Sequence, residues 1–261
     1  MYSFNYHRPS SVADALALLA GHEDAKILAG GMTYLPTLKQ RLAQPSDLID
    51  LGAIAELKGI TVANGVVRIG AMTTHATVAA SADVRKAIPA LAELAGKIGD
   101  RQVRNRGTIG GSLANNDPAA CYPAAVLGLG ATVHTNKRDI AADDFFQGLY
   151  TTALAEDEVI TAVSFPVPEK AGWQKFKQPA SRFSIVGVFV SKGPKGTRVA
   201  VTGAGAGVFR ASGLEAKLAS NWSAAALAGA TVSADGLNTD LHGSAEYRAA
   251  LIPVLAARAV G

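Results

Sequence analysis

Apolar positions change their period several times along the chain, and each change marks an element. After Pro9-Ser10-Ser11, the residues Val12, Leu16 and Leu19 recur at helical spacing, and Gly21 stands where a helix C-cap is expected. Lys26-Ile27-Leu28-Ala29 is a short apolar run of the kind a buried strand shows. It ends at Gly30-Gly31, and Thr33 to Leu42 reads as a second helix, with Thr33 as N-cap and Pro36 tolerated in the first turn. Asp47 to Leu51 completes a small α/β unit over residues 1–55.

A second unit, residues 56–168, opens with a hairpin. Ile60-Thr61-Val62 and Val66-Val67-Arg68-Ile69 flank Asn64-Gly65, a strong turn dipeptide. One helical region is expected from Asp83 to Ile98, then a loop rich in Gly, Arg and Asn from Gly99 to Asp117. An alanine- and leucine-rich helix should start near Pro118. Ala131 to Thr135 and Val159 to Phe165 read as strands, and Pro166 and Pro168 mark a linker. Residues 171–261 form a third α/β domain. Its strands are expected at Phe183–Val190 and Arg198–Val201, its helices near Leu214–Leu218 and Ala245–Ala259. No internal repeat is evident.

Composition narrows the chemistry more than the fold. With 49% hydrophobic and 18% charged residues, the 261-residue chain is an ordinary globular one. No run approaches the roughly 18 apolar residues of a membrane span, and no secretory signal opens the chain, which points to the cytoplasm. Cys121 is the only cysteine, so neither a disulfide nor an iron–sulfur cluster of about four thiolates fits. His7, His22, His75, His134 and His242 show no ligand spacing, so no metal site is expected. Any redox centre must be organic or borrowed. Lys97, Arg101, Arg104 and Arg106 cluster without interleaved aromatics or a nucleic-acid module, which argues against nucleic acid. A solvated face, or a surface near a cofactor phosphate or an acidic partner, remains.

Two glycine pairs stand out: Ala29-Gly30-Gly31-Met32-Thr33 after a strand, and Thr108-Ile109-Gly110-Gly111-Ser112 before a helix. Without a Cβ the backbone can approach an anion closely, and successive N–H groups cradle phosphate oxygens. A single such pair is more often a tight turn. Thr202-Gly203-Ala204-Gly205-Ala206-Gly207 imitates a dinucleotide fingerprint, but its third glycine comes one position early and no acidic strand end follows. A glycine-rich strand end is the better reading. No nucleophile motif or triad order is present, as expected where a cofactor does the chemistry.

The chain resembles the FAD-binding medium subunit of molybdenum hydroxylases, the group of carbon monoxide dehydrogenase, xanthine dehydrogenase and aldehyde oxidoreductases. The matching text runs through both glycine loops, Ile69-Gly70-Ala71-Met72-Thr73-Thr74, and Arg106 to Ala114. It continues in Asp143-Asp144-Phe145-Phe146-Gln147-Gly148, Glu158-Val159-Ile160, Phe165-Pro166 and Phe176-Lys177-Gln178, and ends in Asp240 to Tyr247-Arg248. Any one of these is weak; in order over nearly the whole length they are strong.

The resemblance implies an α/β (α+β) fold in which two subdomains hold FAD in the manner of vanillyl-alcohol-oxidase-like flavoproteins, with the C-terminal domain covering the flavin side. It implies diphosphate contacts from Ala29, Gly30, Gly31, Met32 and Thr33 on one side, and from Thr108, Ile109, Gly110, Gly111 and Ser112 on the other. Ile98 would pack near the flavin, Ile160 or Thr161 by the adenine or ribose, and Lys177 near the isoalloxazine. It also implies a hetero-oligomer. A large subunit carries the molybdenum cofactor and hydroxylates substrate, and a small subunit carries 2Fe-2S clusters. This chain's FAD passes electrons to NAD, oxygen or a quinone. Two departures are visible. Met32 replaces a frequent histidine, and Cys121 replaces a ribose-binding carboxylate, for which Asp117 is the candidate substitute. The competing readings are a free-standing flavin oxidase and a structural subunit without cofactor.

Overall fold

The computed structural model describes residues 1–261. Its first layer is a small parallel sheet of β1 (Asn5–His7), β2 (Ala25–Leu28) and β3 (Asp47–Asp50), ordered β1-β3-β2. Helix Val12–Gly21 crosses between β1 and β2, capped by the Ser11 side chain, which accepts from the Asp14 amide. Gly21 lies inside its last turn, and His22 is the C-cap. The second helix is shorter than expected, Tyr34–Lys39. Thr33 is itself helical and makes no side-chain cap, and Arg41 takes a left-handed φ of 59° that stops the helix. The core beneath this sheet joins Ala15, Ala25, Ile49 and Leu51 to Leu57, Met72 and Val159, so residues beyond 55 help to close it.

The second layer is antiparallel throughout: β4 (Ile60–Ala63), β5 (Val66–Gly70), β6 (Thr132–Thr135), β7 (Asp139–Ala141) and β10 (Ile160–Pro166), ordered β4-β5-β10-β6-β7. A two-stranded ribbon, β8 (Phe146–Gly148) with β9 (Thr151–Thr152), lies between β7 and β10 in sequence. Asn64 and Gly65 both take positive φ (52° and 72°), as a hairpin turn twisted with its strands requires.

One expectation in this layer holds with a break and another fails, both for local reasons. The helical region over 83–98 is two helices, Ala82–Ala87 and Pro89–Gly96, because Pro89 drives Ile88 out of the helical conformation (φ −139°, ψ 76°). The expected loop from Gly99 to Asp117 holds two short helices, Arg101–Arg106 and Ile109–Asn115. They are capped by Asp100, accepting from Val103 N at 2.8 Å, and by Thr108, accepting from Gly111 N at 3.1 Å. The helix expected from Pro118 starts later, at Tyr122–Leu129, and is buried on every side.

The third layer is an antiparallel sheet of β11 (Lys170–Lys177), β12 (Ser184–Gly193), β13 (Gly196–Thr202) and β14 (Phe209–Arg210). Helices Ser212–Ser220 and Ala245–Val260 cover it over a separate core that includes Val188, Val201, Leu214 and Ile252. No helix opens within the glycine-rich run after β13; the next begins at Ser212. No helix is long and apolar enough to cross a membrane.

One buried carboxylate, paired with the exposed Arg138, sets an acid limit. Glu158 accepts from Arg138 Nε (3.0 Å) and Nη2 (3.1 Å), from Thr135 Oγ1 (2.7 Å) and from the Ala155 amide (3.0 Å). The Arg138 contact holds its carboxyl down at about 2. A depressed folded-state value means the contribution is complete above the ordinary carboxylate range, near 4.5, and disappears as pH falls towards 2. Urea midpoints measured from pH 6 to 2 should therefore fall steeply. Glu158→Gln should start lower at neutral pH and fall less; an unchanged slope would rule the pair out.

Candidate functional site

The loop after β2 meets the turn between helices Arg101–Arg106 and Ile109–Asn115 across a backbone contact that only glycine allows. A Cβ on Gly30 would collide with the Arg106 carbonyl oxygen and lie 2.7 Å from its carbon and 2.8 Å from Gly107 Cα. A Cβ on Gly111 would stand 3.1 Å from Ala29 Cβ. The two glycine segments, about eighty positions apart in sequence, thus wall one cleft of about 540 Å³. Its rim is closed by β11 and the turn into β12, through Lys175, Arg182 and Phe183.

The walls differ in chemistry. On the first, the amides of Gly30, Gly31, Met32 and Thr33 donate to no acceptor within the chain, and Gly31 takes φ 73°. Buried amides are normally paired, and of these four residues Gly31 is buried, so its free amide on the cleft wall is the exceptional one. On the second wall the helix start is already satisfied. Ile109 N donates to Thr73 O (3.2 Å), Gly110 N to Ala71 O (2.8 Å) and Gly111 N to Thr108 Oγ1 (3.1 Å). The symmetric pair of amide cradles expected from sequence is therefore one cradle facing a bare glycine, Gly111, and the hydroxyl-bearing Ser112. Ile109 and Gly110 are buried and turned away, since a Cβ on Gly110 would lie 2.6 Å from Ala71 Cβ.

The other expected residues divide. Ala29, Met32, Thr33, Ile98, Thr108 and Asp117 line the cleft with the glycines. Ile160 is packed into the central core, and its neighbour Thr161 opens on a different depression beside Val12 and Arg68. Lys177 lies outside the lining. The β11–β12 register shifts between Phe176 and Lys177, and of the β11 lysines it is Lys175 that lines the cleft, with Nζ 3.1 Å from Lys97 O and 3.2 Å from Cys121 Sγ. A strict two-residue alternation through Trp173, which is buried, would have drawn attention to β11; its mixed composition concealed it.

Electrostatics favour an anion. Lys26, Lys175 and Arg182 line the cleft against one carboxylate, Asp117, whose Oδ1 is occupied by the Ala119 amide at 2.8 Å. His75, also on the wall, is 4% exposed with Nδ1 unpartnered. Burial, helped by the nearby Arg104, lowers its pKa to about 4, so it is neutral at pH 7. Of the basic cluster, Arg104 is spent on the carbonyls of Ile98 (2.9 Å) and Gly99 (3.0 Å) and Lys97 on Glu93, and none of the four lines the cleft. Histidines that look scattered in sequence also meet: His7 and His22 converge on Asp47 at the far end of β3.

Free amides, a surface without side chains and surrounding cations are what the diphosphate of FAD requires, and the comparisons agree. Residues 2–168 match the family described as the FAD binding domain in molybdopterin dehydrogenase. The chain is 38% identical to the nicotine 6-hydroxylase medium subunit of Paenarthrobacter nicotinovorans, over 99% of this chain and 96% of the relative. It is 37% identical to the carbon monoxide dehydrogenase medium chain of Hydrogenophaga pseudoflava, over 98% and 96%. Among solved structures, reconstituted CO dehydrogenase from Oligotropha carboxidovorans superposes with a TM-score of 0.89 at 34% identity, covering 99% of this chain and 96% of that one. Quinoline 2-oxidoreductase from Pseudomonas putida 86 gives 0.89 at 31%, with the same coverage. Fold, cleft chemistry and full-length likeness agree that this chain belongs to the FAD-binding medium subunits of the molybdenum hydroxylase family, as an oxidoreductase component.

Proposed function

We propose that this chain holds FAD with its diphosphate against the unpaired amides of Gly30 to Thr33. In this reading Ser112 and Gly111 face the same phosphates, and Lys175, Arg182 and Phe183 border the flavin end. FAD supplies the ability to take electrons singly and release them in pairs. The chain's residues bind and orient it, exclude water from one side and balance its charge. The electrons come from 2Fe-2S clusters of a small partner subunit, after a large subunit with the molybdenum cofactor has oxidised the substrate, and leave to an external acceptor. Units at 1–55, 56–168 and 171–261 divide the work, the first two gripping the nucleotide and the third covering the flavin. The names of the relatives, the medium subunit of a hydroxylase and the medium chain of a dehydrogenase, support this assembly.

The observation that carries the reading is the run of four amides without acceptors in a cleft closed by Gly30 and Gly111. Ser112 is half-buried on that wall, so Ser112→Asp adds a carboxylate to the anion site without entering the core. Flavin retained per purified chain should drop about tenfold, equivalent to about 1.4 kcal/mol, while Ser112→Ala changes it little. Full flavin content in Ser112→Asp, with a wild-type circular dichroism spectrum, would refute the placement.

A further inference from the structure

At the opposite end of the small sheet from the cleft, three potential ligands from separate segments converge. Asp47 opens the central strand β3 and is only 2% exposed. His7 comes from the edge strand β1, and His22 from the turn that ends helix Val12–Gly21. The ligand atoms of all three lie within 4.8 Å of one another. His7 Nε2 is 2.6 Å from Asp47 Oδ1, and His22 Nε2 is 3.8 Å from that same oxygen.

The His22 ring is already set as metal-binding imidazoles usually are. Its Nδ1 donates to the Leu18 carbonyl at 2.9 Å, which orients the ring with Nε2 towards the carboxylate. At 3.8 Å the two atoms are too far apart to hydrogen-bond, and a metal ion between them would give both a partner. Ligands about 2.1 Å from a tetrahedral metal stand roughly 3.4 Å apart, inside the spread seen here, so shifts of about an ångström complete the shell.

We propose that His7, His22 and Asp47 bind one divalent transition metal of the zinc class. Two imidazole nitrogens and one carboxylate select zinc, cobalt or nickel over magnesium or calcium, which prefer oxygen shells. The histidine side chains are 27% and 38% exposed, so solvent fills the remaining position. β2 runs four residues from this end to the cleft, about 13 Å at 3.3 Å per residue, so the metal is outside the electron path. Its role is a clip. It ties the three-residue strand β1 and the end of the first helix to the central strand.

The test uses the full untagged chain, stripped with chelator and titrated with zinc by calorimetry and with cobalt by visible absorption. One equivalent should bind, with cobalt d–d bands of a low-symmetry shell, and zinc should raise the thermal midpoint. His22→Ala removes an exposed ligand and Asp47→Asn a buried one. Each should weaken binding by at least about tenfold and abolish the zinc-dependent shift, with flavin content unchanged in His22→Ala. If His22→Ala binds zinc like wild type, or wild type shows no saturable equivalent, the three residues are a proton-bridged cluster only and the proposal is overturned.

Discussion

Gly30→Ala should yield a chain that has lost most of its flavin and melts several degrees lower. The added methyl meets no flexible side chain. It meets the peptide between Arg106 and Gly107, whose carbon and Cα would stand at 2.7 and 2.8 Å. Backbone of a capped helix end cannot step aside without moving the helix that carries Thr108 and Ser112. Overpacking of this kind costs about 1–3 kcal/mol, roughly 2–10 °C for a chain of this size. The flavin effect should exceed the stability effect, because the displaced segment is a wall of the cleft. Gly21→Ala is the matched control. Nothing lies within 4 Å of its Cβ, and a helical alanine should stabilise by about 0.4–1 kcal/mol. Flavin content and melting that are equal for Gly30→Ala and wild type would mean that the two loops touch loosely.

Arg248→Leu should cost about 2–5 kcal/mol in urea unfolding, chiefly because two buried carbonyls lose their donor at about 1–3 kcal/mol each. Arg248 is 3% exposed. Its Nη1 donates to the carbonyls of Ile185 (2.6 Å) and Gly203 (2.9 Å), and its Nη2 to both carboxylate oxygens of Asp240 at 2.8 Å. One guanidinium thus fastens helix Ala245–Val260 to the start of β12, to the end of β13 and to the preceding loop. Leucine fills much of the volume but leaves two carbonyls without a donor. Asp240, 45% exposed on its side chain, can return to water, so Asp240→Asn should cost far less. Because Phe183 directly precedes β12 and borders the cleft, Arg248→Leu should also loosen flavin binding. Equal losses for Arg248→Leu and Asp240→Asn would show that the exposed ion pair, not the carbonyl contacts, carries the energy.

The cleft was only partly legible in the sequence. Gly30-Gly31 and Gly110-Gly111 read as equivalent, since both are side-chain-free pairs beside a hydroxyl residue. Their difference lies in which neighbour takes the amides. Ala71, some forty positions away, takes the amide of Gly110 and the Thr108 hydroxyl that of Gly111, and nothing takes those of the first pair. Lys175 rather than Lys177 lines the cleft, and the β11–β12 register shifts between Phe176 and Lys177, which no local pattern announces. Cys121 reads as a small buried hydrophobe and is buried, yet its thiol also lines the cleft beside Lys175.

What the amino-acid order determined by itself was everything decided within a few residues. The Asn64-Gly65 turn needed positive φ, Ser11 capped the first helix, and apolar runs became β2, β3 and β12. Pro89 split the helical region by the same short-range sterics. Only the tertiary structure decided that β10 lies between β5 and β6, that Gly110 faces the core while Gly111 faces the cleft, and that His7 and His22 share Asp47. Those outcomes depend on packing between segments tens of residues apart. Which face of a short element is buried follows from what arrives opposite it, and no local period encodes that.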